Sequence, residues 1–479
     1  MENLFIGKSG SKRWLVFLIT NILCFLWFCL NYASLIGSKT EIIKVHSREE
    51  KIITKSKVDL CWGRYIYIHN LPSQFNEDVL RNCQLLTRKT DKFDMCLFTN
   101  NSGFGPQVEN FNHGVLSNTR SWFFTNQFML EVIFHNRMKN YKCLTHDSSL
   151  ASAIFVPFYA GLDLRRHLWG HKTSVRDASG FELVKWLTEK PEWKKTWGMD
   201  HFLVSGRISR DFRRKSDKNS EWGSKFRSLP ESRNMSMLSI ESSLNNINNN
   251  DFAIPYPTSF HPSTEIEVSQ WQDRMRRQNR PYLFSFAGAR RSRNKGSLRD
   301  IIINQCLESS NNSCKFMDCS SSGSSNCDNP LNVMQVFQKS VFCLQPPGDS
   351  YTRRSIFDSI LAGCIPVFFH PGSAYSQYLW HLPKNHTKYS VFISGKSLRD
   401  RKSRFIINET LVGVSKEEQE AMREQVIRLI PRIVYADNTI RLETGFEDAF
   451  DLAVKGVLDK IETSRRVIKE KEKSMDSIR

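Results

Sequence analysis

Residues 342–369 read FCLQPPGDSYTRRSIFDSILAGCIPVFF, and this stretch decides the fold. An apolar run closes at Leu344, and Pro346, Pro347 and Gly348 turn the chain. Asp349 or Ser350 is placed to cap the helix that follows, because a short polar side chain there accepts an unpaired backbone N–H. Gly363 ends that helix, and CIPVFF at 364–369 returns as a second buried strand. Strand, loop, helix and strand make the repeating unit of a parallel α/β sheet. The start of the helix offers unpaired N–H groups and positive potential to a phosphate. Arg353 and Arg354 add guanidinium donors there. They also oppose the helix macrodipole, a conflict that a bound anion would relieve. This reading places Arg353 or Arg354 on a diphosphate and Asp358 near a ribose hydroxyl. Arg354 and Asp358, four residues apart, equally fit an ordinary helix ion pair.

The same alternation continues on both sides. Upstream, YLFSFAG at 282–288 is a strand, and Gly288 ends it where open sheets bind ligands. Gly288 lets the backbone approach an anion closely, and Arg290 and Arg291 follow to neutralise it. Helices are expected over 265–280, 297–305, 331–339 and 415–430, and strands over 340–346 and 389–393. Nearer the N-terminus, strands are expected at 65–68, 153–164 and 201–207, with helices at 121–140 and 181–189. The Ser- and Asn-rich segment 211–252 reads as loops. Pro255, Pro257 and Pro262 then punctuate a link. The expected organisation is an α/β domain over 59–262, a second over 263–455, and a charged tail over 456–479, frayed over its last nineteen residues.

The chain has 479 residues, 40% hydrophobic and 24% charged, enough apolar material for sizeable cores and unlike a disordered protein. Its formal charge of +19 invites a nucleic-acid reading. The basic residues, however, lie in short scattered clusters such as Arg213 with Arg214 and Arg274 with Arg276, Arg277 and Arg280. Without a zinc-finger spacing, a helix-turn-helix signature or a basic region before a leucine heptad, they specify no nucleic acid. An anionic sugar-nucleotide, an anionic polysaccharide or a solvated surface remain.

Trp14 to Ile36 reads WLVFLITNILCFLWFCLNYASLI, uncharged and long enough to cross ~30 Å of hydrocarbon. It is too long for a signal-peptide core and lacks a clean cleavage site, so it reads as an uncleaved anchor. The expected layout is a cytoplasmic tail over 1–13, the anchor over 14–36 and a stem over 37–58. Asn-x-Ser/Thr acceptors begin at Asn100, Asn234, Asn311, Asn385 and Asn408, and ten cysteines follow the anchor, which favours a secretory lumen. Cys306, Cys314, Cys319 and Cys327 suit disulfides better than zinc, since their spacing is not CxxC-like.

The chain contains no GxGxxG fingerprint, phosphate-loop motif, HExxH site or DxD triplet. Candidate bases for deprotonating a hydroxyl are Asp163, after YAGL, Asp200 and His201, before FLVSGR, and His261, after the proline-rich link. Each also has an ordinary structural reading, as a loop cap or a satisfied buried imidazole.

Four segments together resemble the plant exostosin-like glycosyltransferase family 47, and within it the xyloglucan galactosyltransferase clade. They are WFFTNQFMLEVIFHNRM at 122–138, IFVPFYAGLDL at 154–164, RPYLFSFAGAR at 280–290 and the deciding stretch. The resemblance covers roughly residues 60–455. It implies a Golgi type II membrane protein whose lumenal body has a GT-B fold of two Rossmann-like domains after one transmembrane helix. The first domain would take the acceptor glycan and the second a UDP-sugar. Gly288, Arg290, Gly348, Arg353, Arg354 and Asp358 would surround the nucleotide sugar. The implied reaction is inverting transfer of β-galactose from UDP-galactose to O-2 of xylosyl side chains of xyloglucan. No tightly bound cofactor or metal is implied, and other cell-wall glycosyltransferases are possible partners. Two departures stand out: Arg290 replaces a proline of the family loop, and Met199 replaces an arginine in a family segment reading GRDHF. Arg290 keeps UDP-galacturonate open as an alternative donor, because a uronic carboxylate would suit an added arginine. A non-catalytic Golgi scaffold is the alternative of a different class.

Overall fold

The computed structural model describes Ile22, Trp27, Asp59 and residues 61–476, apart from 109–113, 117–119, 245–249, 291–296, 310–312, 321–325, 400–405 and 438–444. By their contacts, residues 1–58 and 59–479 form separate units, and the fold described here is that of the second. Except for Ile22 and Trp27, the expected anchor over 14–36 lies outside the described residues. Among the described residues no helix is long and apolar enough to cross a membrane.

Two parallel sheets organise the unit. In the first lobe, β1 (Tyr65–Ile68), β2 (Leu144–Thr145), β3 (Ala151–Phe155), β4 (His201–Ile208), β5 (Ser236–Glu241) and β6 (Asp251–Ala253) lie in the order β2-β1-β3-β4-β5-β6. Helices α1 (Leu130–Lys139) and α2 (Ala160–His167) pack on β4, and α3 (Thr173–Thr188) packs on α2. β4 is buried along all but its last residue and β5 along its whole length, as a sheet covered on both faces requires. β5 and β6 correct the expectation that 211–252 is all loop. Ser236, Ser239 and Glu241 interrupt the apolar run of β5 and hide it from a hydrophobicity reading. The buried run expected over 153–164 also divides: the strand stops at Phe155, and Ala160 begins α2.

In the second lobe, α4 (Glu265–Arg276) opens with a capping box between Thr264 and Glu267. Strands β7 (Tyr282–Gly288), β8 (Cys314–Asp318), β9 (Ser340–Gln345), β10 (Ile365–Phe368) and β11 (Val391–Phe392) follow in the order β11-β10-β9-β7-β8. Between and after them come α5 (Leu298–Glu308), α6 (Pro330–Gln338), α7 (Arg354–Leu361), α8 (Lys416–Arg428) and α9 (Ala449–Asp476). β9 pairs with β10 from Phe342↔Ile365 to Gln345↔Phe368, so the deciding stretch folds as strand, loop, helix and strand. Its cap differs from expectation. The N-cap of α7 is Arg353, with no side-chain cap, while the Ser350 carbonyl accepts from Gly348 N–H at 2.8 Å within the preceding loop.

One apolar core runs through both lobes, from Ile66 through Phe342 to Ile461, and a smaller cluster lies around Leu183, Trp193 and Phe226. The C-terminal end expected to fray from 461 is instead helical as far as Asp476. Ala449, Ala453, Val457 and Ile461, spaced by four, bury one face of α9. The helix reaches the first lobe, where Lys460 Nζ donates to Ser236 Oγ (3.2 Å) and Arg465 pairs with Asp200 (2.9 Å). The ten cysteines from Cys61 onward join as Cys61–Cys143, Cys83–Cys96, Cys306–Cys314, Cys319–Cys327 and Cys343–Cys364. Asn100, Asn234 and Asn385 are exposed, as glycan acceptors must be, and Asn408 is half-buried. Asn311 lies outside the described residues.

Candidate nucleotide-sugar site

The carboxyl ends of β7 and β9 bring two arginines together. Arg353, at the start of α7, donates from Nη2 to the Ala287 carbonyl (3.1 Å), and its guanidinium lies 5.6 Å from the centre of the Phe286 ring. Arg299, in the first turn of α5, donates to the Ala289 carbonyl at 3.4 Å. A Cβ at Gly348 would sit 3.5 Å from Arg299 Nη2 and 3.6 Å from Arg353 Cγ, so this glycine lies against both guanidinium-bearing chains. At Gly288 a Cβ would stand 2.4 Å from the Phe286 ring, so glycine is needed there to seat that ring. Arg290 turns outward and donates to Asn304 Oδ1 at 2.8 Å. At the same edge, Tyr351 stacks on His370 with centroids 4.3 Å apart.

The first lobe grips this loop. Glu241, at the end of β5, accepts from the N–H and the hydroxyl of Thr352, both at 2.7 Å. Tyr256 places its hydroxyl 3.0 Å from the Thr352 hydroxyl. Both partners are buried, so water competes little for these bonds. Gln377 accepts from Ser242 N–H at 2.9 Å, and Tyr378 donates to the Ile240 carbonyl at 2.8 Å.

Arg354 makes a second tie between the lobes. It donates to the Thr125 carbonyl and to Ser259 Oγ (2.7 Å), and its Nε lies 3.5 Å from Asp358 Oδ2. Burial holds the Asp358 carboxyl above its ordinary range, and Arg354 acts against that shift. The expected helix pair is therefore present, and the same guanidinium is also committed to the first lobe. Next to it, His261 Nε2 lies 2.8 Å from Thr125 Oγ1, its Nδ1 faces the Tyr435 carbonyl at 2.7 Å, and its ring stacks on Phe104. Burial pushes this imidazole down to about 3, so it is neutral, with Nδ1 donating to the carbonyl.

The other three candidate bases lie elsewhere. Asp163 pairs with Arg166 and accepts from Ser179 Oγ (3.1 Å) between α2 and α3. Asp200 and His201 stand at the start of β4, remote from its carboxyl end. Their network runs from His69 Nε2 to His201 Nε2 (3.2 Å), from His201 Nδ1 to Asp200 (2.8 Å), and on to Thr196 and Arg465. Burial would raise the Asp200 carboxyl, but the His201, Thr196 and Arg465 partners hold it below its ordinary value. Met199 is exposed beside this network. The structure thus brings Gly288, Gly348, Arg353, Arg354, Asp358 and His261 to one region, and leaves Asp163, Asp200, His201 and Arg290 outside it.

Three residues of this region were not singled out in the sequence, Glu241, Tyr256 and Arg299, and neither was Glu131, which lies apart from it on α1. Glu131 is the one acid in an otherwise apolar helical run, and that contrast marks it. It is buried, accepts from the N–H groups of Gly161 (2.6 Å), Leu162 (3.2 Å) and Gly206 (3.2 Å), and so caps α2 from α1. Burial lifts it to about 7 against those three bonds. Among the described residues no group of three or more His, Cys, Asp or Glu is placed to hold a metal ion.

Two parallel sheets with a cationic loop at their carboxyl ends are consistent with a two-lobed, GT-B-like architecture. Residues 60–409 match the Exostosin GT47 domain, and the chain belongs to that family. Its relatives in Arabidopsis thaliana include a protein named probable xyloglucan galactosyltransferase GT15, 56% identical over 88% of this chain and 86% of that protein. Xyloglucan galactosyltransferase MUR3 is 56% identical over 86% of this chain and 64% of its own length. Xyloglucan-specific galacturonosyltransferase 1 is 42% identical over 85% of this chain and 58% of its own length. Among solved structures, the GtfA/B complex aligns over 59% of this chain and 61% of its own with TM-score 0.29 and 10% identity, too low to argue from.

Proposed function

We propose that this chain is an inverting glycosyltransferase moving β-galactose from UDP-galactose to O-2 of xylosyl side chains of xyloglucan. The observation that carries the substrate is the 56% identity to proteins named as xyloglucan galactosyltransferases, against 42% to the galacturonosyltransferase. The site geometry supports the nucleotide sugar. Arg353 and the N-terminus of α7 stand where a departing diphosphate gathers charge, and fixed donors there stabilise it without reorganisation. Asp358 is the acid one turn further on, set for a ribose hydroxyl. Arg354 holds the two lobes around the site. A base of the first lobe takes the xylosyl hydroxyl proton while that oxygen attacks the anomeric carbon on the face opposite UDP. Arg290, the reason to consider galacturonate, is engaged outward with Asn304, which favours galactose. A GT-B body in the Golgi lumen, behind a type II anchor over 14–36 and without a metal requirement, completes the reading.

The test offers xyloglucan oligosaccharides to the purified full chain with UDP-galactose and UDP-galacturonate separately. A product heavier by one hexose supports the reading. A uronic acid product supports the alternative donor, and UDP binding without either product points to another acceptor. Loss of UDP binding altogether supports a scaffold.

A further inference from the structure

We propose that Trp222, backed by Trp169, is the platform on which the first lobe seats a pyranose ring of the acceptor glycan. The proposal rests on the reading above and deepens it. Trp222 is 47% exposed, yet it is anchored. Its Nε1 donates to Asp211 Oδ1 at 2.8 Å. Asp211 is 4% exposed, and its Oδ2 accepts from Arg207 Nε at 2.7 Å. Arg207 is itself buried and lies 5.2 Å from the Phe128 ring. The indole also meets Trp169 edge-on at 5.6 Å, and Arg88 covers Trp169 at 4.0 Å. Gly223 permits this presentation, with φ +88 and a Cβ that would lie 2.2 Å from the Asp211 carbonyl.

A buried ion pair that fixes the polar edge of an exposed indole does little for the core. It does hold an aromatic face in one orientation toward solvent. The C–H face of a pyranose is the complementary surface, because it is apolar while the ring's hydroxyls point sideways. The location agrees. Asp211 follows the carboxyl end of β4, the edge at which parallel sheets bind ligands. Tyr256 feels both the Asp211 carboxylate and the Arg353 guanidinium, and its hydroxyl touches Thr352. The platform's anchor and the cationic loop therefore both act electrostatically on one tyrosine.

The experiment uses full chain in detergent, with Trp222→Leu and Trp222→Phe. Leucine keeps an apolar side chain without an aromatic face, and phenylalanine keeps an aromatic face without the N–H. The leucine variant should raise KM for a xyloglucan oligosaccharide ~10-fold, as the loss of one aromatic–ring stack does. KM for UDP-galactose and the calorimetric affinity for UDP should stay within ~2-fold of wild type, and phenylalanine should recover most of the loss. An unchanged acceptor KM, or acceptor and UDP constants worsening together, would overturn the proposal. If wild type binds UDP but transfers nothing to xyloglucan, the functional reading has failed. Glycan titration of intrinsic fluorescence then decides the platform alone: quenching in wild type that leucine abolishes supports it, and equal quenching, or none in wild type, refutes it.

Discussion

Replacing Arg354 by methionine keeps the length of the side chain but removes three polar ties at once. The Thr125 carbonyl, Ser259 Oγ and the Asp358 carboxylate all lose their donor. Removing one partner of a fully buried pair costs ~3–5 kcal/mol. Here the side chains of Arg354 and Asp358 are 23% and 13% exposed, so solvent takes up part of the loss. That leaves ~2–3 kcal/mol. At ~2 °C per kcal/mol for a large folded unit, Tm should fall by ~4–6 °C. The loss should also depend on pH. Burial already raises the Asp358 carboxyl, and without Arg354 it rises further. A carboxyl raised above its unfolded value contributes stability that is full below the unfolded pKa and is lost as pH rises through the folded one. The deficit of the variant should therefore widen as pH rises from the unfolded carboxyl value of 3.8 toward neutrality, as followed by thermal melts in matched buffers at the two ends of that range. Adding Asp358→Asn removes the orphaned charge and should narrow the deficit at the higher pH. A deficit equal at both pH values and untouched by the second substitution would refute the role given to this pair.

Arg353→Ala should weaken UDP binding ~10-fold or more in calorimetry while moving Tm little, because a charge-assisted bond to phosphate is worth ~1.5–3 kcal/mol. Cys61→Ser with Cys143→Ser opens a loop of 82 residues, so melts should show a loss of ~4 kcal/mol from chain entropy. His69 is pushed from 6.5 down to about 4, chiefly by burial and then by His201. It stays neutral when folded, so stability should fall as pH drops from 6.5 toward about 4, by up to ~3 kcal/mol, and His69→Gln should flatten that slope in acid denaturation.

The deciding stretch was legible because its strands are continuous apolar runs and its helix ends on a glycine with positive φ, Gly363. The start of that helix was not legible. Asp349 and Ser350 have the right chemistry for a cap, but the loop bends early and Arg353 takes the position. β5 was hidden because buried Ser236 and Glu241 satisfy their polar groups through Lys460 and Thr352, partners distant in sequence. The basic clusters misled for the same reason. Arg214 and Arg213 stood as a basic cluster open to an anionic ligand or a solvated surface, yet they pair with Asp177 and Asp251. Arg280 donates to the carbonyls of Phe337, Ser340 and Ala362, and its burial pushes it down to about 9. Of the site, the motif residues could be read in order along the chain. The grip of Glu241, Tyr256 and Ser259 on the cationic loop needed the fold, since each touches a residue about a hundred positions away.

The most direct measurement is sugar transfer itself. Purified full chain is incubated with UDP-galactose and a xyloglucan oligosaccharide carrying bare xylosyl side chains, and the product is analysed by mass and linkage. The account predicts one added hexose, β-linked to O-2 of a xylosyl residue, with Arg353→Ala reducing the rate. No transfer from UDP-galactose while UDP still binds, or transfer from UDP-galacturonate in its place, would contradict it.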